Sequence, residues 1–429
     1  MTGRRDFDRE MTAYLEARST NRAPDGLLDA AMTRVDRTRQ RPGWLIAERW
    51  LPMRVTSGVA RLGKVAVVFA ILALLVALAV VIGVLVGSRH RLPPPFGLAK
   101  PGLITFDMAG DIFATNPDGT GLTQLTSGPD PDFLPTYSPD GTLIAYVTAL
   151  PDLSETVSVM NADGQHRVTL ADHMTDVGDI SWSPDSRRFA FGARVVGSNV
   201  NKIYVVDADH PGATPLGEPG LAGEEASWSP NGKEIAFKGS DACCGPPTLP
   251  DALWLMNADG SNAHQLWVPP KEIPTAGSNA LKMPAWSTDS TRLAFLAPGV
   301  RGAFDVYVIN ADGLTPAVNI TNSPEEEYWP SWSPDGTRVA FPRMSLTPNA
   351  GTFIVVDPDG SHPVSLKGPA VDSNMAIWSP DGKRLFGYVF NSNLGYWDVI
   401  AIFDASGKDD AALIRAVNFG PASWQRLAP

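Results

Sequence analysis

The sequence predicts an all-β fold, a seven-bladed β-propeller of four-stranded blades whose first blade is closed by the C-terminal strand, preceded by a short helical region and one transmembrane helix. Three observations predict it. Residues 65–87 form a run of 23 residues without a single charge. From Gly102 onward one sequence unit recurs about every 46 residues. The two ends of that repeating region are complementary halves of one unit.

In chain order, residues 1–64 read as a cytoplasmic helical tail. Phe7, Met11, Tyr14 and Leu15 share one helical face, and a second helix starting at Pro24 would align Leu27, Leu28, Ala31, Met32 and Val35. A segment this short buries little core by itself, so a loose tail and a hairpin that docks on a cytoplasmic regulator both remain open. Trp44, Trp50, Arg49 and Arg54 suit a membrane interface. Residues 65–87 follow as the transmembrane helix. Such a run reaches about 34 Å as a helix, against a hydrocarbon core of about 30 Å. It starts too far into the chain, and ends too close to Arg89 and Arg91, to read as a cleaved signal. Residues 88–101, with Pro93, Pro94 and Pro95, form a stiff linker.

Charge is divided along the chain. Residues 1–64 carry a net charge of +5, while the remainder is at -16. Basic residues before the span place the N-terminus in the cytoplasm and residues 102–429 outside it, in the cell membrane of a bacterial envelope. An acidic outer domain excludes nucleic acid as its ligand, because phosphate binding needs a basic face.

The repeating unit has two halves. The first begins at an aromatic residue (Tyr137, Trp182, Trp228, Trp286, Trp332, Trp378), continues through Ser-Pro-Asp-Gly or a variant, and ends in an apolar strand. The second is an alternating strand that runs into Asn-Ala-Asp-Gly or a variant, starting at Ile112, Val157, Ile203, Leu253, Val306, Phe353 and Val399. Two hairpins per unit give four strands, the size of a propeller blade. In the first turn Pro presets φ, Asp caps the turn with its side chain, and Gly accepts positive φ. The aromatic residue reads as core between blades. The turn aspartates are isolated one per turn, which does not make a calcium loop, so no metal and no cofactor are expected. The region opens at Leu103–Phe106 as a second strand and ends at Ala422–Arg426 as a Trp strand, so joining them completes one blade and removes two free sheet edges.

These recurring motifs resemble the TolB-type, WD40-like propellers of bacteria, over roughly Leu103 to Pro429. The resemblance implies a propeller that binds protein, peptide or glycan. The chain departs from TolB in offering seven units rather than six, and a membrane anchor in place of a preceding mixed domain. The layout of helical tail, single span and outer sensor also resembles membrane-bound anti-sigma regulators, which implies a sigma factor as a cytoplasmic partner. The zinc ligands of that class are missing.

A ligand is expected on the face that carries the loops leading into each inner strand. The unit at Trp228 is longer than the rest through two insertions on that face, at Gly239–Pro247 and Val268–Pro274. The first holds the two cysteines of the chain, Cys243 and Cys244, which would close a vicinal disulfide or stay as an unpaired pair. The candidate ligand-binding residues are Asp132, Phe133, Asp179, Glu225, Lys282, Glu327, Tyr328, Trp329, Asn374 and Phe419. Acids interleaved with aromatics suit a cationic peptide or a sugar. Catalytic motifs are missing: there is no Gly-x-Ser-x-Gly elbow, no His-Glu-x-x-His and no nucleotide-binding glycine loop. The chain is therefore expected to be a tethered binding scaffold and not an enzyme.

Overall fold

The computed structural model describes residues 97–218, 220–241, 251–270, 281–299, 301–345, 351–371, 375–391, 396–409, 411–415 and 422–427. The expected helical tail, transmembrane helix and most of the linker lie outside the described residues, as do Cys243 and Cys244. Among the described residues no helix is long and apolar enough to cross a membrane.

The described elements are strands, paired as antiparallel meanders. The first sheet runs Ser423–Leu427, Lys100–Met108, Asp111–Thr115, Thr123–Gln124. The expected closure is present: Ile104 pairs with Trp424 and Thr105 with Ser423 across more than three hundred residues of chain. Four further sheets each repeat the order inner, second, third and outer strand. Their inner strands are Leu221–Trp228, Lys282–Trp286, the two short pieces Glu326–Glu327 and Ser331–Trp332 on one second strand, and Ile377–Trp378.

The units beginning at Asp132–Tyr137 and Ser181–Trp182 differ from the sequence expectation of separate blades, because they share one eight-stranded sheet. The outer strand Val168–Thr175 is eight residues long, and its end pairs Met174 with Val195 and Thr175 with Arg194 of the next unit.

The repeated motifs act as the sequence predicts. The second strands are buried on both faces over runs of consecutive residues, with Phe191, Phe237, Phe295 and Phe341 all at 0–1% exposure. Each such ring stabilises the fold by about 1.5–3 kcal/mol. Every repeat Trp is buried, and most of them donate their indole N–H to a neighbouring inner strand: Trp182 to the carbonyl of Thr136, Trp286 to Ser227, Trp332 to Ala285 and Trp378 to Ser331. Trp424 donates to Gly102 of the strand it closes.

In the turn at Ser333, the Ser333 hydroxyl donates to Asp335 Oδ1 at 2.6 Å and accepts from the Arg338 N–H at 3.0 Å, while Thr337 N–H donates to the same carboxylate. Burial raises the Asp335 pKa, but these bonds and Arg338 outweigh it and hold the carboxyl below its usual range. Where Ser replaces the turn Gly, at Ser186 and Ser290, the backbone still takes φ of 60°. The hydroxyl there compensates for the strain by accepting the N–H of Asp140 or Asn231 in the adjacent turn.

One inter-unit contact depends on a missing side chain. Gly387 stands where the other second strands carry Phe or, at Tyr146, Tyr, and a Cβ there would overlap the ring of Phe353, itself at 0% exposure. Gly387→Ala is expected to lower unfolding stability by about 1–3 kcal/mol through overpacking. Adding Phe353→Val should return part of the loss; denaturant titration of the single and double variants checks both.

Candidate binding site at the channel mouth

A cavity of about 470 Å³ is lined by Thr136, Ser181, Ser227, Ala285, Ser331, Ile377 and Ser423, one residue from each inner strand. Each of these residues immediately precedes the aromatic residue of its unit, so the inner strands surround a common channel. At the turn-side end, Arg426 donates to the carbonyl of Gly97 at 2.7 Å and Ala99 N–H donates to Pro380.

At the other end the inner strands are bulged. Register shifts fall between Phe133 and Thr136, Glu224 and Ser227, and Lys282 and Ala285. One extra residue at each shift re-aims the strand. Leu134 and Glu225, each three residues ahead of its aromatic, take φ of 57° and 55°. At the equivalent position in other units stand Asp179, Trp329 and Met375, and these line the cavity together with Glu225.

Three of the ten sequence-predicted residues, Asp179, Glu225 and Trp329, thus meet at the mouth. Asp179 is half-buried, makes no hydrogen bond or ion pair among the described residues, and is pushed up by burial to about 6. The others are placed elsewhere or not described. Asp132 is buried and accepts a hydrogen bond from the Thr148 hydroxyl at 2.6 Å. Glu327, at 1% exposure, accepts from Arg343 Nε at 3.0 Å and Nη2 at 2.6 Å and from the Val306 N–H. Burial pushes Glu327 up to about 7 against the pull of Thr321 and Arg343. Phe133 packs against a core cluster, and Tyr328 is half-buried with its N–H on the Pro342 carbonyl. Lys282 opens an inner strand opposite Leu296, and its side chain is not described. Asn374 and Phe419 lie outside the described residues. Met375 was missed, although its spacing from Trp378 matches that of Asp179 from Trp182. Among the described residues no group of three or more His, Cys, Asp or Glu could hold a metal ion.

The Asp179 carboxyl is held as the neutral acid to a higher pH in the folded chain than in the unfolded one. Its contribution to stability is therefore present below pH 4 and lost as pH rises to about 6. Asp179→Asn, which cannot ionise, is expected to be more stable than the parent above that range by about 1–3 kcal/mol and similar to it at pH 4. Urea titrations at the two pH values check the sign.

No family model matches the chain, and no curated protein matches its sequence. Solved structures do. The chain is similar to TolB from Acinetobacter baumannii at 17% identity, covering 66% of each chain, with a TM-score of 0.47. It thus spans just under two thirds of that TolB. It is similar to the oligogalacturonate lyase of Vibrio parahaemolyticus at 13% identity, over 75% of this chain and 86% of that one, with a TM-score of 0.53. It is similar to the tricorn protease at 13% identity, over 79% of this chain and 36% of that one, with a TM-score of 0.51. A lyase and a protease thus carry this fold, which corrects the expectation drawn from missing motifs that the chain is not an enzyme. Catalytic residues of enzymes on one fold need not follow hydrolase or nucleotide motifs, so their absence does not decide the matter. The recurring motifs, the antiparallel four-strand groups and the likeness to the lyase and the protease together give the described part of this chain a β-propeller fold.

Proposed function

We propose that the chain is a membrane-anchored binding scaffold: a seven-bladed ring closed by its own terminal strand, held outside the cytoplasm by residues 65–87, with the channel mouth as its binding face. The observation that carries the reading is the mouth itself. Residues at one repeated position of four units line it together, Glu225 from within an inner strand and Asp179, Trp329 and Met375 from the segments that lead into theirs. Concave sites with a few convergent polar groups against apolar walls are where ligands bind. The charge division of the sequence, +5 before the apolar run and -16 from it onward, supports the tether and its orientation.

Fractionation of the native host tests the tether. The full chain is expected to stay with membranes after an alkaline carbonate wash, and protease added outside the cytoplasmic membrane should degrade the propeller while sparing an N-terminal tag. A chain lacking residues 65–87 should appear in the soluble fraction. Full-length protein recovered in the carbonate supernatant would overturn the reading.

A further inference from the structure

The turn side of the propeller carries a second cavity. A cleft of about 580 Å³ lies between the units at Trp286 and Trp332 and shares no lining residue with the channel. It arises at a turn that differs from its counterparts. Ile320 N–H donates to the Val306 carbonyl as Leu125 does to Ile112 and Leu366 to Phe353. Yet Ile320 stands seven residues after its turn glycine, Gly313, whereas Leu125 and Leu366 stand six after Gly119 and Gly360. In those shorter turns the second residue after the glycine, Gly121 or His362, takes φ of 68° or 52°. Thr315 holds that place here, followed by Pro316. A β-branched residue is strained at positive φ, and a proline ring fixes φ near about -65°. The chain therefore goes round by one more residue, and Thr315, Pro316 and Val318 form one wall of the cleft.

The polar groups of the cleft keep unused bonding capacity of both kinds. The Arg292 guanidinium lies over the Trp332 ring of the next unit, 4.7 Å from its centroid, which fixes its plane. Among the described residues that guanidinium makes one hydrogen bond, a long one of 3.4 Å from Nη2 to the Gly336 carbonyl. Across the seam, Asp357 meets His362 through Oδ2, and Asp359 accepts from Ser361 through Oδ1. Asp357 Oδ1 and Asp359 Oδ2 make no bond among the described residues. The same holds for Asn310 Oδ1, whose amide nitrogen donates to Thr315. Open donors of a guanidinium thus share one cavity with open acceptors of two carboxylates and an amide, separated by the apolar surfaces of Pro316, Val318 and Pro358.

We propose, separately from the channel mouth, that this cleft binds a short neutral glycan. A hydroxyl both donates and accepts, so neighbouring hydroxyls of one sugar ring satisfy Arg292 and a carboxylate together. An added anion would meet Asp357 and Asp359, and an added cation would meet Arg292. An apolar ligand would strip water from all three without replacing its bonds. The proline and valine surfaces suit the C–H faces of a pyranose ring, and a few polar groups set among apolar walls are the usual make-up of a small-molecule site.

The test uses the full chain in micelles of a detergent without a sugar head group, which would compete. Maltotetraose and tetra-N-acetyl chitotetraose are the neutral probes, trigalacturonate is the anion and de-acetylated chitotetraose the cation, each titrated by saturation-transfer NMR. At least one neutral probe is expected to bind about tenfold tighter than either charged one. Arg292→Ala should weaken that binding about tenfold, the size of one hydrogen bond to a charged group. Replacing residues 314–318 by Thr-Gly-Leu-Thr, the sequence of residues 120–123, restores the shorter turn. It should abolish binding with little change in melting temperature, while Asp179→Asn, at the mouth, should leave binding unchanged. Equal affinity for neutral and charged probes overturns the glycan site, as does the failure of both neutral probes to bind. Neutral binding that survives either change in the cleft, or is lost in Asp179→Asn, overturns it as well. None of these results removes the mouth as a binding face.

Discussion

A chain lacking residues 421–429 is expected to lose its cooperative thermal transition or to melt more than about 10 °C lower, the largest effect the fold predicts. The closing strand Ser423–Leu427 contributes more than its own length suggests. It buries Trp424, which packs with Ile104, Phe106 and Phe386, and Gln425 ties Leu103 N–H to the carbonyl of Gly141 in the next unit. Without it, Lys100–Met108 becomes a free edge that invites pairing with other chains. Trp424→Ala alone should cost about 3–5 kcal/mol, the usual range for deleting a buried Trp. Differential scanning calorimetry on the detergent-solubilised full chain and the two variants measures both effects. An unchanged transition in the truncated chain would show that the first sheet stands without its terminal strand.

The second large effect is expected at Lys238. In four other units its position carries an apolar residue or Gly (Val147, Gly192, Leu296, Pro342), yet here a lysine at 6% exposure reaches Glu224 and Asp251. Lys238→Ala leaves Asp251, at 5% exposure, facing Glu224 without that cation. Removing one partner of a buried ion pair costs about 3–5 kcal/mol. The loss has a pH signature. In the variant the carboxylates are raised above their unfolded values, so the folded form binds protons more readily and stability falls as pH rises. The deficit should therefore be larger at pH 8 than at pH 5, whereas a loss of packing alone would be independent of pH. Chemical denaturation at both values separates the two causes.

The fold was legible because each repeat writes its own geometry: the Trp that donates across to a neighbouring strand, the Ser and Asp that lock a turn, and the Phe of most second strands follow one spacing. The join between Thr175 and Arg194 was not legible, because an eight-residue outer strand looks no different in sequence when it reaches its neighbour. The mouth was legible in part. Asp179, Glu225 and Trp329 stand three residues ahead of their Trp and line the channel, whereas Asp132 and Glu327 stand five ahead and are buried. Simple alternation puts both positions on the same side of a strand. The extra residue between Phe133 and Thr136, and between Glu224 and Ser227, resets that alternation, and no residue type in the sequence announces it. Glu327 is likewise tied to Arg343, sixteen residues on, a pairing that only the strand register reveals.

The most direct measurement of the central claim, that the channel mouth is the working face of a tethered scaffold, is site-specific photo-cross-linking in the native host. Benzoylphenylalanine is placed at Trp329 in the mouth or at Asp163 in an outer turn. Irradiation is predicted to yield a discrete adduct from position 329, lost when Asp179 and Glu225 are changed to Asn and Gln, and none from position 163. An adduct from position 163 with none from 329 would contradict the claim.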